Sequence, residues 1–113
     1  MAIVIIKDKL SKKDFEKARE DYQTYIKITV DLEKEIVALG GEYHADAEQL
    51  LLQRGSKQKN IWGGGVNLEE GRIETNAIIN LRPKENESAE ILEPKIRKKF
   101  ISVVKKVLRN YVK

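Results

Sequence analysis

Apolar residues recur at every second position in two stretches of the chain, which is the pattern of strands with one buried face. In residues 25–32 the apolar set begins at Ile26 and the alternate positions are polar. In residues 72–82 the same alternation begins at Ile73. Shorter apolar runs bounded by turn residues predict three further strands, at residues 2–6, 35–40 and 61–68.

Three other segments carry apolar residues at the three- and four-residue spacing of amphipathic helices. The first, residues 12–23, follows Ser11, a residue type that favours the N-cap position. The second, residues 46–54, begins at Asp46, which we interpret as its N-cap. The third begins at Pro94, because proline suits the first turn of a helix, and its apolar stripe continues almost to the end of the sequence.

The predicted elements follow the order βαββαββα within a single α+β domain, residues 1–113. A short match, VDLEK against VNLEE, recurs at the two predicted hairpin turns and indicates two ββα units. If both hairpins pair, the result is a two-layer architecture in which three helices cover one face of a mostly antiparallel sheet. The polar segment 82–93 is predicted to be a mobile loop.

Composition excludes several classes of function. The chain has no cysteine, which excludes disulfide frameworks, thiolate metal sites and cysteine nucleophiles. No apolar run is long enough for a membrane span, so we expect a soluble cytoplasmic protein without a membrane partner. No serine lies in a nucleophile motif and no phosphate-binding loop leads into a helix, so we expect neither a hydrolase triad nor a cofactor.

The stretch from Gly40 to Gly65 holds the only histidine and the only tryptophan. An imidazole with two carboxylates suits a divalent metal, so His44, Asp46 and Glu48 are the candidate catalytic set of a metal-dependent enzyme. On one helix, however, Asp46 lies about 200° round from His44, and the three converge only if the helix begins at Asp46. The competing interpretation is a helix cap, and no metal site is assigned.

A second candidate site is a binding site for a small anion. Asn80 and Arg82 alternate off the apolar face at a predicted strand end, where they could hold a carboxylate or phosphate. The hairpin arrangement places them near His44, with Trp62 as a wall and residues 83–93 as a lid. The alternative is structural, with Arg82 paired internally and Trp62 in the core.

Charge divides the chain unevenly. Residues 94–113 carry eight Lys or Arg and no acid, whereas the remainder carries fourteen bases against eighteen acids. Such a basic helix favours salt-sensitive association with nucleic acid, but no base-reading set or stacking aromatics accompany it. We therefore predict weak nucleic-acid binding at most. The protein is interpreted as a non-catalytic binding or interaction domain, and a homodimer stays open.

The sequence segments GGEYHADAEQLLLQRGSKQKNIWGG and INLRP occur in this order. With them the chain resembles a small prokaryotic family of uncharacterised proteins, a domain of unknown function. The resemblance covers most of residues 25–111. It implies a single-domain cytoplasmic protein and supplies no activity. The family pattern singles out the following residues of this chain: Gly41, His44, Asp46, Glu48, Gly55, Ser56, Gln58, Trp62, Gly63, Asn80 and Arg82.

Overall fold

The computed structural model describes residues 2–112 and contains five strands and three helices within that range. The strands are β1 (Ile3–Ile6), β2 (Tyr25–Asp31), β3 (Ile36–Gly40), β4 (Ile61–Asn67) and β5 (Arg72–Glu74). The helices are α1 (Lys12–Ala18), α2 (His44–Gln53) and α3 (Pro94–Val107). Short 3₁₀ turns lie at Gln58–Asn60 and Ile78–Asn80. The α+β class and the order βαββαββα are therefore confirmed.

All five strands form one antiparallel sheet in the order β1-β3-β2-β4-β5. Each predicted hairpin is present, and β2 joins them by pairing with β4 along its whole length. The first strand bypasses its neighbour in sequence and pairs with β3, placing Ile3 opposite Gly40. Two hairpins thus share one sheet, as the recurring turn sequence predicts.

The helices differ from the predicted arrangement because they cover both faces of the sheet. Phe15 of α1 and Phe100 of α3 pack in the main apolar cluster. The residues at alternate positions of β2, such as Ile28, belong to the same cluster. On the opposite face, Leu51 of α2 packs with Ala38 in a separate cluster. The prediction of two layers, with all helices on one side, is corrected to helix, sheet and helix.

The reason for this correction lies in the polar face of β2. Thr29 and Asp31 alternate with apolar residues and suggest a solvent-facing surface, yet each is only 1% exposed. The Asp31 carboxylate is satisfied internally, since it accepts bonds from the Glu33 and Lys34 amides and from the Ser56 hydroxyl at 2.5 Å. A buried carboxylate with these partners permits α2 to cover this face.

Several element boundaries differ from the sequence prediction. The first helix ends at Ala18, although its pattern continues to residue 23. The fifth strand ends at Glu74, although alternation continues to residue 82. Beyond Glu74 the chain turns back on itself, and Asn76 pairs with Glu90 in an isolated bridge. The alternation there reflects packing of a folded loop.

Residues 83–93 are tied to the body and do not form the predicted mobile lid. Asn86 is buried, and its amide nitrogen lies within bonding distance of the carbonyls of Asn80, Ser88 and Glu90. Its side-chain oxygen accepts a bond from the Leu92 amide. One asparagine therefore closes the whole loop. Within residues 2–112, no helix combines the length and apolarity needed to cross a membrane.

Candidate functional site

Strand β4 is the backbone on which the sequence-predicted site residues meet. Its centre is Gly63–Gly65, where a side chain would overlap a neighbour at every position. A Cβ at Gly64 would lie 2.7 Å from the Phe100 ring, and one at Gly65 would meet the Tyr25 ring. These glycines permit close approach of side chains from other elements, in agreement with the interpretation of glycine in a strand.

His44 is the first residue of α2 and reaches across to β4. Its Nε2–H donates to the Gly64 carbonyl oxygen at 2.6 Å. Burial lowers the pKa of the His44 imidazole, with a smaller lowering by the Lys27 ammonium, while the bond to Gly64 acts in the opposite direction. The ring is therefore neutral at physiological pH and fastens the start of α2 to the sheet.

The structure does not meet the geometric condition of the metal-dependent alternative, which requires the helix to begin at Asp46. The helix begins at His44, so Asp46 lies inside the first turn, and Tyr43 occupies the N-cap without a side-chain cap bond. The interpretation of Asp46 as N-cap is therefore wrong. His44 and Glu48 share one side of the helix, but Asp46 points elsewhere. Within residues 2–112, no three acidic or imidazole side chains gather as a metal-binding group.

Asn80 is fully buried, and its side-chain amide pairs with the backbone of β4 as a neighbouring strand would. Its Oδ1 accepts from the Gly63 amide at 2.8 Å, and its Nδ2 donates to the Gly63 carbonyl at 2.9 Å. A further contact joins Nδ2 to the Ala89 carbonyl at 3.0 Å. These bonds extend the ladder beyond β5, and they leave no capacity for a ligand at this side chain.

Arg82 lies over the Trp62 ring, with its guanidinium carbon 3.9 Å from the ring centroid. It donates to the Ile61 carbonyl and, at 3.3 Å, to the Lys59 carbonyl. No carboxylate among residues 2–112 forms an ion pair with it. Burial lowers the pKa of Arg82, while the carboxylates of Glu85 and Glu48 act against this shift. The cation is therefore positioned, and its charge is not neutralised by direct contact.

A cavity of about 330 Å³ adjoins Arg82. Its polar lining comes from Gln58, Lys59, Arg82 and Glu85. Three predicted site residues do not line it, namely His44, Trp62 and Asn80. Sequence reasoning reached Gln58 only through the family resemblance, and it missed Lys59 because a polar loop before a strand carries no periodic signal. Two cations and an amide beside one cavity form a polar recess suited to an anion.

His44 and Arg82 therefore share a strand without sharing a cavity. The carbonyls that they bind, on Gly64 and Ile61, lie three residues apart on β4. This spacing corresponds to about 10 Å along a strand. The predicted single site is divided into a histidine contact at the glycines and a cation recess at the beginning of the strand.

A family model matches residues 4–107, and its description is protein of unknown function (DUF5674). The curated proteins and the solved structures gave no match to the chain.

Proposed function

The chain belongs to this family of unknown function. From the geometry around Arg82 we propose that it is a non-catalytic domain that binds a small anion beside this residue. The observation that supports this is a guanidinium stacked on Trp62 that borders a cavity of about 330 Å³ and has no carboxylate in contact within residues 2–112. Such a volume lies at the lower end of ligand pockets.

The donor arrangement supports a carboxylate or phosphate group as the ligand. A guanidinium has five N–H donors, and the two observed bonds to carbonyls occupy only part of this set. Lys59 supplies a second cation on the same wall, and Gln58 supplies an amide. Glu85, also on the lining, disfavours large polyanions and favours a ligand of one or two charges.

A non-catalytic role is favoured by the separation of the acid–base groups. His44 is the only imidazole in the chain, and its Nε2 is occupied by the Gly64 carbonyl. It does not line the cavity beside Arg82. Acid–base catalysis needs a positioned group within hydrogen-bond reach of the reacting atom, and the one imidazole of the chain lies outside this recess.

Trp62 provides a direct test, because it is the only tryptophan and contacts the Arg82 guanidinium. We expect inorganic phosphate and succinate, each with one or two charges, to change Trp62 emission saturably, whereas chloride at equal ionic strength does not. Lys59→Gln is expected to weaken binding about two- to fivefold, the range of a partly exposed ion pair. Lys57→Gln is the matched control, since Lys57 does not line the cavity.

The proposal fails if phosphate and succinate leave the emission unchanged, or if chloride produces the same change. It also fails if Lys57→Gln and Lys59→Gln weaken binding equally, because the effect would then be one of net charge. In each case Arg82 would be a structural clamp between the loop and β4.

A further inference from the structure

A groove of about 570 Å³ lies on another part of the molecule, between the β4–β5 turn and α3. Its apolar lining consists of Ile73 and Ile101, and its charged lining of Glu70, Arg72 and Lys105. Arg72 is ion-paired with Glu70 and Glu74, so Lys105 is the cation of the lining that no carboxylate within residues 2–112 pairs. Because β5 is the last strand of the sheet, the groove adjoins a sheet edge. An apolar recess beside an open strand edge is the geometry used for binding extended peptides.

The direction of the backbone groups on this edge follows from Gly63. Its amide and carbonyl both bond to Asn80, on the side of β4 away from β2. Backbone groups alternate along a strand, so Gly65 also faces β5 and bonds with its partner Glu74. Ile73, one residue earlier on β5, therefore directs its amide and carbonyl away from the sheet.

The outer side of this edge already accepts a segment of the same chain. Thr75 accepts a bond from the Ile91 amide at 3.0 Å, and the Ala77 amide donates to the Ala89 carbonyl at 3.0 Å. This added segment reaches Thr75 and stops, so the next outward-facing position, Ile73, is left open beside the groove. The fold thus contains an internal example of strand addition along the same line.

The charge on α3 is also divided between two sides. Lys99 and Lys106 pair with Glu35 at 3.1 and 3.3 Å. Among the other exposed cations, Lys98 and Lys105 lie two turns apart on another side of the helix, and Arg109 follows just beyond its end; we call these three residues the cationic stripe. None of the three forms an ion pair within residues 2–112. The helical part of the stripe, from Lys98 to Lys105, spans about 10 Å, since each helical residue rises about 1.5 Å, and it borders the groove at Lys105.

We propose that the β5 edge and this groove bind an extended acidic peptide segment of a partner protein. The peptide lies beside Ile73 as an added strand, inserts one apolar side chain between Ile73 and Ile101, and directs its acidic side chains to the cationic stripe. A nucleic acid would use the charge alone, because no aromatic side chain lines the groove. The apolar floor and the open backbone groups favour the peptide.

The first experiment leaves the protein unchanged and alters the ligand. A short fluorescein-labelled peptide of alternating Glu and Val is titrated with the protein by fluorescence anisotropy. It is compared with copies that are N-methylated at every Glu or at every Val. In an added strand only one of these two sets of amides faces β5, so we expect one methylated peptide to bind about tenfold more weakly and the other to bind normally. Equal binding by both, or no binding, overturns the proposal.

The second experiment alters the protein. Lys105→Gln is expected to weaken binding of the unmethylated peptide about threefold. Lys99→Gln removes the same charge on the side that pairs with Glu35, and we expect no change. An oligonucleotide of equal charge that binds more tightly than the peptide would contradict the inference. Sedimentation that shows this edge occupied by a second copy would contradict it as well.

Discussion

Glycine is required in β4 because residues on other elements leave no room for a side chain there. A Cβ at Gly64 would meet the Glu74 carbonyl and the Phe100 ring, neither of which can move without disturbing the sheet or the core. A Cβ at Gly65 would meet the Tyr25 ring, which lies at the surface of the opposite face and has more room to yield. The two positions therefore differ in what a methyl group would cost.

We expect Gly65→Ala to reduce the free energy of unfolding by about 1–2 kcal/mol and Gly64→Ala by about 3 kcal/mol or more. Urea denaturation followed by circular dichroism measures both. The Tyr25 hydroxyl oxygen is the atom nearest the added methyl group, so the cost of Gly65→Ala should fall in a Tyr25→Phe background. An unchanged cost in that background would contradict this account.

Tyr25 itself gives a second observation at this position. Burial, together with the charge of the Glu74 carboxylate and a hydrogen bond to it, raises the pKa of the Tyr25 hydroxyl to about 12. The hydroxyl is therefore protonated at physiological pH and serves as a donor. Its contact with Glu74 links β2 to β5 across Gly65 of β4.

Among the residues predicted to bind a ligand, Asn80 is the one that most clearly has a structural role instead. Asn80→Ala would leave the Gly63 amide, the Gly63 carbonyl and the Ala89 carbonyl without this partner. We expect a loss of about 2–4 kcal/mol in the free energy of unfolding, since buried unsatisfied groups are costly. Asn76→Ala, at an exposed position of the same segment, should stay within about 0.5 kcal/mol. A similar small effect for Asn80→Ala would overturn this assignment.

At the scale of elements, α2 begins without the cap that its sequence predicts. Tyr43 has the extended backbone of an N-cap and is 63% exposed, yet its side chain caps nothing. Tyr43→Asp should supply an acceptor to the first-turn amides and raise the free energy of unfolding by about 0.5–1 kcal/mol. Tyr43→Ala is the control, because it removes the ring without adding an acceptor. Equal stability of the two variants would contradict the prediction.

The contact between His44 and Gly64 makes the start of α2 sensitive to pH. Burial holds the pKa of folded His44 below its ordinary value of 6.5, whereas the unfolded chain has that ordinary value. Below about pH 6.5 the unfolded chain therefore takes up a proton more readily, and acidification favours unfolding. A positive charge at a helix N-terminus is unfavourable as well.

We expect the free energy of unfolding to fall between about pH 7 and pH 5 more steeply in the natural chain than in His44→Gln. Glutamine keeps a donor for the Gly64 carbonyl but does not titrate. Chemical denaturation at several pH values measures both slopes, and the carboxylates common to both proteins cancel in the difference. Identical slopes would show that His44 keeps its ordinary pKa.

At the scale of the whole molecule, local pattern predicts the elements and their order but not the layers. Alternation in β2 and the recurring turn residues identify two hairpins, because each depends on neighbours within a few positions. The side of the sheet that α2 covers depends on Asp31, whose buried carboxylate finds its partner Ser56 25 residues away. No local pattern reports such a pairing.

The candidate site was predictable only in part for a similar reason. Trp62 and Arg82 were identified as residues with suitable chemistry, and they do meet. Their cavity is completed by Gln58 and Lys59, which belong to a polar loop with no periodicity. Asn80 carries the same chemistry as a ligand residue, but its bonds to Gly63 depend on the chain turning back after Glu74.

The pairing of β1 with β3 has a consequence for the order in which the protein assembles during translation. Ile3 leaves the ribosome before its partner Gly40, which follows only after the whole β2–β3 hairpin has been made. Pairing between residues far apart in the sequence costs loop-closure entropy before any contact between them stabilises the chain. We therefore expect β1 to dock after the hairpin has formed and to detach before the hairpin unfolds. We expect the β1 amides to exchange with deuterium faster than those of β2 in the native protein, and slower exchange in β1 would refute this order. A nascent chain that stops before Gly40 would therefore carry an apolar strand without a partner, a substrate for chaperones.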